Sequence, residues 1–143
     1  MVYTVAISIV LVVVTVMLHA AALSAIVSAL INRASTSPFT VATSICFVML
    51  AHFAEVILFA AGFYIAIEHA GVGTLKGEFS GHIQEYVYFS LVSYTSLGLG
   101  DVYPYGPIRL LTGIEALTGL VMIGWSASFT YICMTKSWMA ERP

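Results

Sequence analysis

Three ionisable side chains lie inside otherwise apolar runs of this chain: His52, Glu55 and Glu115. Such groups are costly at membrane depth, so each marks an ion path, a proton relay or a deliberate hydrogen-bond acceptor. His52 and Glu55, in "AHFAEV", are three apart and share one helix face. At about 1.5 Å per residue, Glu115 sits roughly 12 Å below Pro107 and Glu55 roughly 20 Å below His69. All three can therefore meet at one depth. Three chemistries fit: acids accepting hydrogen bonds from Ser93, Thr95 or a helix backbone group, a proton-sensitive cluster, or a metal site. A second stretch, "SYTSLGLGDVYP" (Ser93 to Pro104), carries its chemistry in the backbone. Gly98 and Gly100 alternate with Leu97 and Leu99, so side chains can point outward while carbonyls turn to a common axis, with the Thr95 and Ser96 hydroxyls at the inner mouth. A ring of carbonyls replaces a cation's hydration shell.

These residues need elements to hold them, and composition decides the solvent. With 60% hydrophobic residues, 8% charged and a mean hydropathy of +0.99 over 143 residues, the chain cannot cover a soluble domain with polar side chains. Lipid is the solvent. The formal charge of -2 excludes a generally basic nucleic-acid binder, and no Lys/Arg run suggests a polybasic anchor. Cys46 and Cys133 both lie in apolar runs and read as packed or lipid-facing thiols. The sequence shows no nucleophile–base set and no metal-binding motif, so neither an enzyme nor an organic cofactor is expected.

The first apolar span, about Val5 to Leu30, is uncharged and at about 1.5 Å per residue reaches roughly 39 Å, enough to cross a core of roughly 30 Å. No basic segment precedes it and it is too long for a signal-peptide core, so it reads as a helix. Ala21, Ala25 and Ala29, with Ser24 and Ser28, predict one smooth packing face, and His19 reads as hydrogen-bonded in that interface. "NRASTSPFT", Asn32 to Thr40, breaks the run, and Ser37 before Pro38 is a helix-start signal. A second span runs from Pro38 to about His69. Glycines 71, 73, 77 and 81, with Lys76 and Glu78, then predict an exposed loop. The segment from about His82 to Tyr94 is helical in pattern but only about 20 Å long, too short to cross; it enters and turns back. Irregular backbone at membrane depth is tolerated where protein buries it or water lines it, which makes Thr95 to Asp101 the wall of an aqueous path. The short helix aims its negative C-terminal end at that path, favouring a cation. A third span runs from about Pro107 to Thr135.

"YFSLVSYTSLGLGDVYP" resembles the pore loop of the potassium-channel superfamily, whose filter is written TVGYGD; here it reads Thr95-Ser96-Leu97-Gly98-Leu99-Gly100-Asp101. The resemblance extends over about Ser80 to Thr135. Arg109 falls near an arginine that often opens the inner helix, Gly119 at the gating-hinge glycine, and Tyr88 and Phe89 at the aromatic pair that braces the filter. Asp101 takes the place of the acid that hydrogen-bonds behind the filter. The implied fold is an all-α membrane protein: three transmembrane helices plus a re-entrant pore helix and filter loop, assembling as a homotetramer because each chain supplies one pore loop. Its implied parts are an extra N-terminal helix and loop (1–37) and a pore domain (38–143) with outer helix 38–69, extracellular loop 70–81, pore helix 82–94, filter 95–101 and inner helix 107–136.

What the resemblance implies functionally is passive, selective conduction of K+, bound at the carbonyls of Ser96, Leu97, Gly98 and Leu99. Two departures bear on selectivity. Ser96 replaces a threonine and loses a methyl contact, and Leu99 replaces the tyrosine whose hydroxyl tethers the filter, as in the second pore loop of two-pore-domain potassium channels. A weakly selective monovalent cation channel is one alternative; a proton- or metal-coupled transporter using His52, Glu55 and Glu115 is another. The expected partners are further copies of the chain, membrane lipid and monovalent cations. A cell-membrane protein with its N-terminus outside and C-terminus cytoplasmic follows from the pore loop facing outward, with Arg33, Lys136 and Arg142 inside and Lys76 and Arg109 outside. Outside, four acids (Glu68, Glu78, Glu85, Asp101) against two cations leave -2 per chain and -8 for four chains, a field that concentrates cations at the mouth. With no arginine ladder to sense voltage, gating is expected in the filter or at the inner helices.

Overall fold

The computed structural model describes residues 2–28 and 38–140. Three helices in it are long and apolar enough to cross a membrane: Val2–Ile26, Phe39–His69 and Ile108–Thr135. The elements run α1 (Val2–Ile26), α2 (Pro38–Tyr64, continued by a wide π turn over Ile65–His69), β1 (Thr74–Gly77), α3 (Ile83–Tyr94), β2 (Val102–Tyr105) and α4 (Ile108–Ala140). Pro38 opens α2, where its missing N–H costs nothing. Ser37 and the rest of the break lie outside the described residues, as do Arg33 and Arg142.

Helices α1, α2 and α4 pack on one another, and α3 is wedged between α2 and α4. The core gathers around α3: Phe59 and Phe63 of α2, Tyr86, Phe89 and Tyr94 of α3, and Ile108 and Leu111 of α4 are all buried. Phe63 and Phe89 meet edge to face, with ring centroids 5.0 Å apart, the geometry their quadrupoles favour. Outward-facing Met17, Phe47, Leu50, Leu117 and Val121 leave an apolar surface suited to acyl chains.

The face of α1 that packs is not the alanine face. Ala21, Ser24, Ala25 and Ser28 are exposed, and Ala29 lies outside the described residues. The buried stripe is Thr4, Ser8, Leu11, Thr15, His19, Leu23 and Ile26. The polar groups of α1 turn inward and the valines take the lipid side; His19 and Ser8 find partners there, while the Thr4 and Thr15 hydroxyl oxygens have none among the described residues. Ser8 donates to the carbonyl of Thr4 (2.8 Å), which lets a hydroxyl be buried within its own helix.

The glycine-rich loop also differs from its expectation. β1 pairs antiparallel with β2, Leu75 opposite Pro104 and Lys76 opposite Tyr103, and the buried Leu75 and Val102 anchor this ribbon to the core. It clamps the segment that follows residues 95–100, since the Glu78 N–H donates to the carbonyl of Asp101 (2.9 Å).

Candidate functional site

The start of α3 is fixed by one side chain. The Glu85 carboxylate accepts from the backbone N–H groups of Ser80 (2.7 Å), Gly81 (2.8 Å) and His82 (3.2 Å), donors that would otherwise have no partner at a helix N-terminus. Partial desolvation pushes the Glu85 carboxyl up, but the three donors outweigh it and hold it below its ordinary value.

At the other end, α3 delivers the chain into residues 95–100, all of them exposed. Ser96 N–H donates to the carbonyl of Ser93 (2.9 Å), while Leu97 N–H (3.0 Å) and Gly98 N–H (3.4 Å) both donate to Val92. No described peptide bond is cis. In a planar trans peptide the C=O points opposite to the N–H of the same unit. The carbonyls of Thr95, Ser96 and Leu97 therefore point away from α3. Positive φ recurs at Ser96 (57°), Gly98 (55°) and Gly100 (84°), and Ser96 is the one non-glycine among the described residues to adopt it. The handedness of the backbone thus alternates along the stretch, which two glycines accommodate without strain.

Behind this stretch the Tyr88 hydroxyl donates to Asp101 Oδ2 (2.6 Å), and Phe89 is buried against Phe63. Tyr88 is engaged by Asp101 rather than by any group at position 99. That hydrogen bond, foremost, holds the Asp101 carboxyl below the ordinary aspartate range, and it raises the Tyr88 phenol. A depressed carboxyl contributes its stabilisation above the unfolded value of about 3.9 and loses it as pH falls through the depressed folded value. Tyr88→Phe should move the acid limit of filter integrity to higher pH, toward that unfolded value. Recording conduction against external pH in parent and variant checks this; coincident acid limbs would show that the bond does not support the filter.

A buried polar network lies one turn deeper. His19 of α1 places Nδ1 2.7 Å from Glu55 Oε1. His52 places Nδ1 3.2 Å from Glu55 Oε2 and 2.9 Å from the Tyr94 hydroxyl. The Tyr94 hydroxyl itself donates to Glu55 Oε2 in a short hydrogen bond. The ring is closed by Ser126 of α4, whose Oγ lies 3.0 Å from His52 Nε2 and 3.2 Å from His19 Nε2. All four helices contribute, and His19 and Glu55 are fully buried. Tyr94 is the last residue of α3, so the network grips this helix where the irregular stretch 95–100 begins.

Glu115 is not part of it. Its Oε1 lies 2.5 Å from the Ser90 hydroxyl, which is also 2.8 Å from the carbonyl of Val56, and its buried Oε2 has no partner among the described residues. The structure thus joins His52 and Glu55 to His19 and sets Glu115 apart on Ser90. The hydroxyls that serve these acids are Tyr94 and Ser90, not Ser93 or Thr95: depth along a helix fixes height but not azimuth. Gly119 lies against α3, where a Cβ would come within 2.0 Å of the Tyr94 carbonyl oxygen. Close approach of two backbones therefore explains glycine here, and α4 runs through it as continuous helix. His19 is hydrogen-bonded within a helix interface, as read from the sequence, whereas Tyr94 and Ser126 were missed, their only signal being polar groups at positions 94 and 126 within apolar surroundings.

A family model described as an ion channel matches residues 45–136, well over half of the chain, from early α2 through the filter stretch to the end of the third span. The chain belongs to the ion channel family. The channel is a multi-pass, all-α membrane protein and not an enzyme, and the match is consistent with a small potassium-channel-like pore domain, as its pore-loop residues suggested. No curated protein and no solved structure matches the channel. Helix α1 lies outside the matched region, yet the network places its His19 in direct contact with the pore-loop helix's support.

Proposed function

We propose that this channel conducts monovalent cations, K+ in preference, through a fourfold ring of the backbone carbonyls of residues 95–99. The observation that carries this reading is the direction of the filter amides. Leu97 and Gly98 donate back to Val92 at the end of α3, so the opposite carbonyls are left free on an exposed face, and a cation needs several such oxygens in place of water. One chain supplies one such edge, and a closed ring of identical edges requires rotational symmetry. The exposed Leu97 and Leu99 side chains, 63% and 61% accessible in the single chain, then pack against neighbouring chains. The reading places the N-terminus and the β1–β2 ribbon outside the cell, with the acids of the ribbon side attracting cations.

Leucine at 99 leaves the filter without a tyrosine hydroxyl for a tether, and this favours modest rather than stringent rejection of Na+. The transporter alternative would have to use His19 in place of Glu115, because Glu115 does not join His52 and Glu55.

Purified protein in liposomes should pass cations by passive flux, and Gly98→Ala should abolish it while leaving helix content unchanged. A Cβ at 98 meets nothing within 4 Å, but the backbone there has φ +55°, so the cost is local strain of about 1–2 kcal/mol per chain, repeated around the ring. Flux that persists unaltered in Gly98→Ala would put the ion path elsewhere. Native mass measurement should give four chains; a monomer that still passes ions would overturn the ring.

A further inference from the structure

His19, His52 and Glu55 offer three ligand atoms that all lie within 4.8 Å of one another. We propose that they form a binding site for a divalent transition-metal ion of the zinc class, seated between α1 and α2 behind the filter. The donor set is two imidazole nitrogens and one carboxylate, with the Tyr94 hydroxyl beside them, 2.9 Å from His52 Nδ1.

The orientation of the rings is the stronger argument. Both histidines present Nδ1 toward Glu55, at 2.7 and 3.2 Å, and both turn Nε2 to the same Ser126 hydroxyl, at 3.0 and 3.2 Å. Ser126 Oγ carries two lone pairs and can accept from both Nε2 atoms, which leaves both Nδ1 atoms, the ones turned toward Glu55, available to a metal. With a metal at the Nδ1 atoms every donor has an acceptor. Both rings are neutral, both Nε2–H groups donate to the two lone pairs of Ser126 Oγ, and that serine is the outer partner which metal-ligating histidines regularly have. Tetrahedral zinc with bonds of about 2.0–2.1 Å sets its ligand atoms about 3.3 Å apart, and the two histidine–carboxylate distances of 2.7 and 3.2 Å lie close to that spacing. The ion's double charge is offset by the Glu55 carboxylate in a region where lipid offers no compensation.

His52 borders a cavity of about 370 Å3, lined mostly by apolar side chains such as Val48, Met49 and Ile123, with Tyr94, Thr95 and Ser126 at its polar side. Trp125 sits against His19, with ring centroids 5.3 Å apart and planes inclined at 45°, and serves as a built-in reporter. A metal here would lock α1, which the family match does not cover, to the residue that ends α3.

The test uses the full chain in detergent and Co2+ as the probe, with Trp138→Phe as background so that Trp125 alone is read. Saturable binding of one Co2+ per chain is expected, with tetrahedral cobalt absorption, quenching of Trp125 and displacement by Zn2+. His19→Gln should weaken binding by at least 100-fold. Ser126→Ala, which removes only the outer partner, should weaken it about 10–100-fold. If His19→Gln does not fold, Ser126→Ala decides, because it removes one hydroxyl and no ligand. Absence of saturable binding, or equal affinity in parent and Ser126→Ala, overturns the site and leaves a network bridged by protons alone. Because the readout needs no ion flux, it stands apart from the conduction reading.

Discussion

Gly119→Ala should disable the channel and lower its thermal stability by at least about 1–3 kcal/mol, the usual cost of overpacking a filled interior. The added methyl would lie 2.0 Å from the Tyr94 carbonyl oxygen and 2.9 Å from its carbon. Both atoms are backbone at the end of α3 and cannot swing aside as a side-chain tip can. Either α4 moves off α3 or the turn into Thr95 is displaced, and both disturb the filter stretch. Gly124→Ala, five residues along the same helix, meets nothing within 4 Å and should be neutral or gain up to about 1 kcal/mol from the better helix former. Melting curves and flux for the two variants separate a contact glycine from a flexible hinge. A stable Gly119→Ala channel altered only in its opening would favour the hinge role that the family resemblance suggests over the contact role.

Removing the Glu55 carboxylate is expected to have the largest effect on stability. Glu55→Ala strips the acceptor from His19, His52 and Tyr94 together and leaves imidazoles facing each other in a dry interior. Breaking a buried pair from one side costs about 3–5 kcal/mol. Replacing the whole set by apolar residues is different, since no uncompensated polar group remains. The triple variant His19→Leu, His52→Leu, Glu55→Leu should therefore recover most of the loss while uncoupling α1 from Tyr94. Thermal denaturation of both proteins in one detergent checks the non-additivity. Equal losses in single and triple variants would mean that the network's charges contribute nothing beyond packing.

Much of this architecture was legible because bilayer thickness is a ruler. Spans of the length of α1, α2 and α4 cross and a segment the length of α3 cannot, so a re-entrant helix followed by irregular backbone was readable before any coordinates. The positions of Gly98 and Gly100 were readable for a similar reason, since positive φ at regular intervals demands them. What resisted was rotation about helix axes. Ala21 and Ala25 competed with Thr15 and His19 for the packing face of α1, and small-residue spacing suggested the wrong winner. Burial of hydroxyls and an imidazole away from lipid outweighs the modest gain of close helix approach. Glu115 and Glu55 were correctly placed inside the membrane, but their partners depend on azimuth, which Ser90 and Tyr94 set from α3. The β1–β2 ribbon was hidden because its four-residue strands owe their pairing to the tertiary anchors Leu75 and Val102 rather than to local pattern.

The most direct test of the carbonyl-lined path is the reversal potential of the purified channel in a planar bilayer with K+ on one side and Na+ on the other. Since Thr95, Ser96 and Leu97 turn their carbonyls away from α3, the current should reverse on the side that marks K+ as the more permeant ion. Gly100→Ala, where φ is +84°, should abolish either the current or its preference. A reversal potential at zero with identical behaviour in Gly100→Ala, or a current carried by anions, would contradict the account.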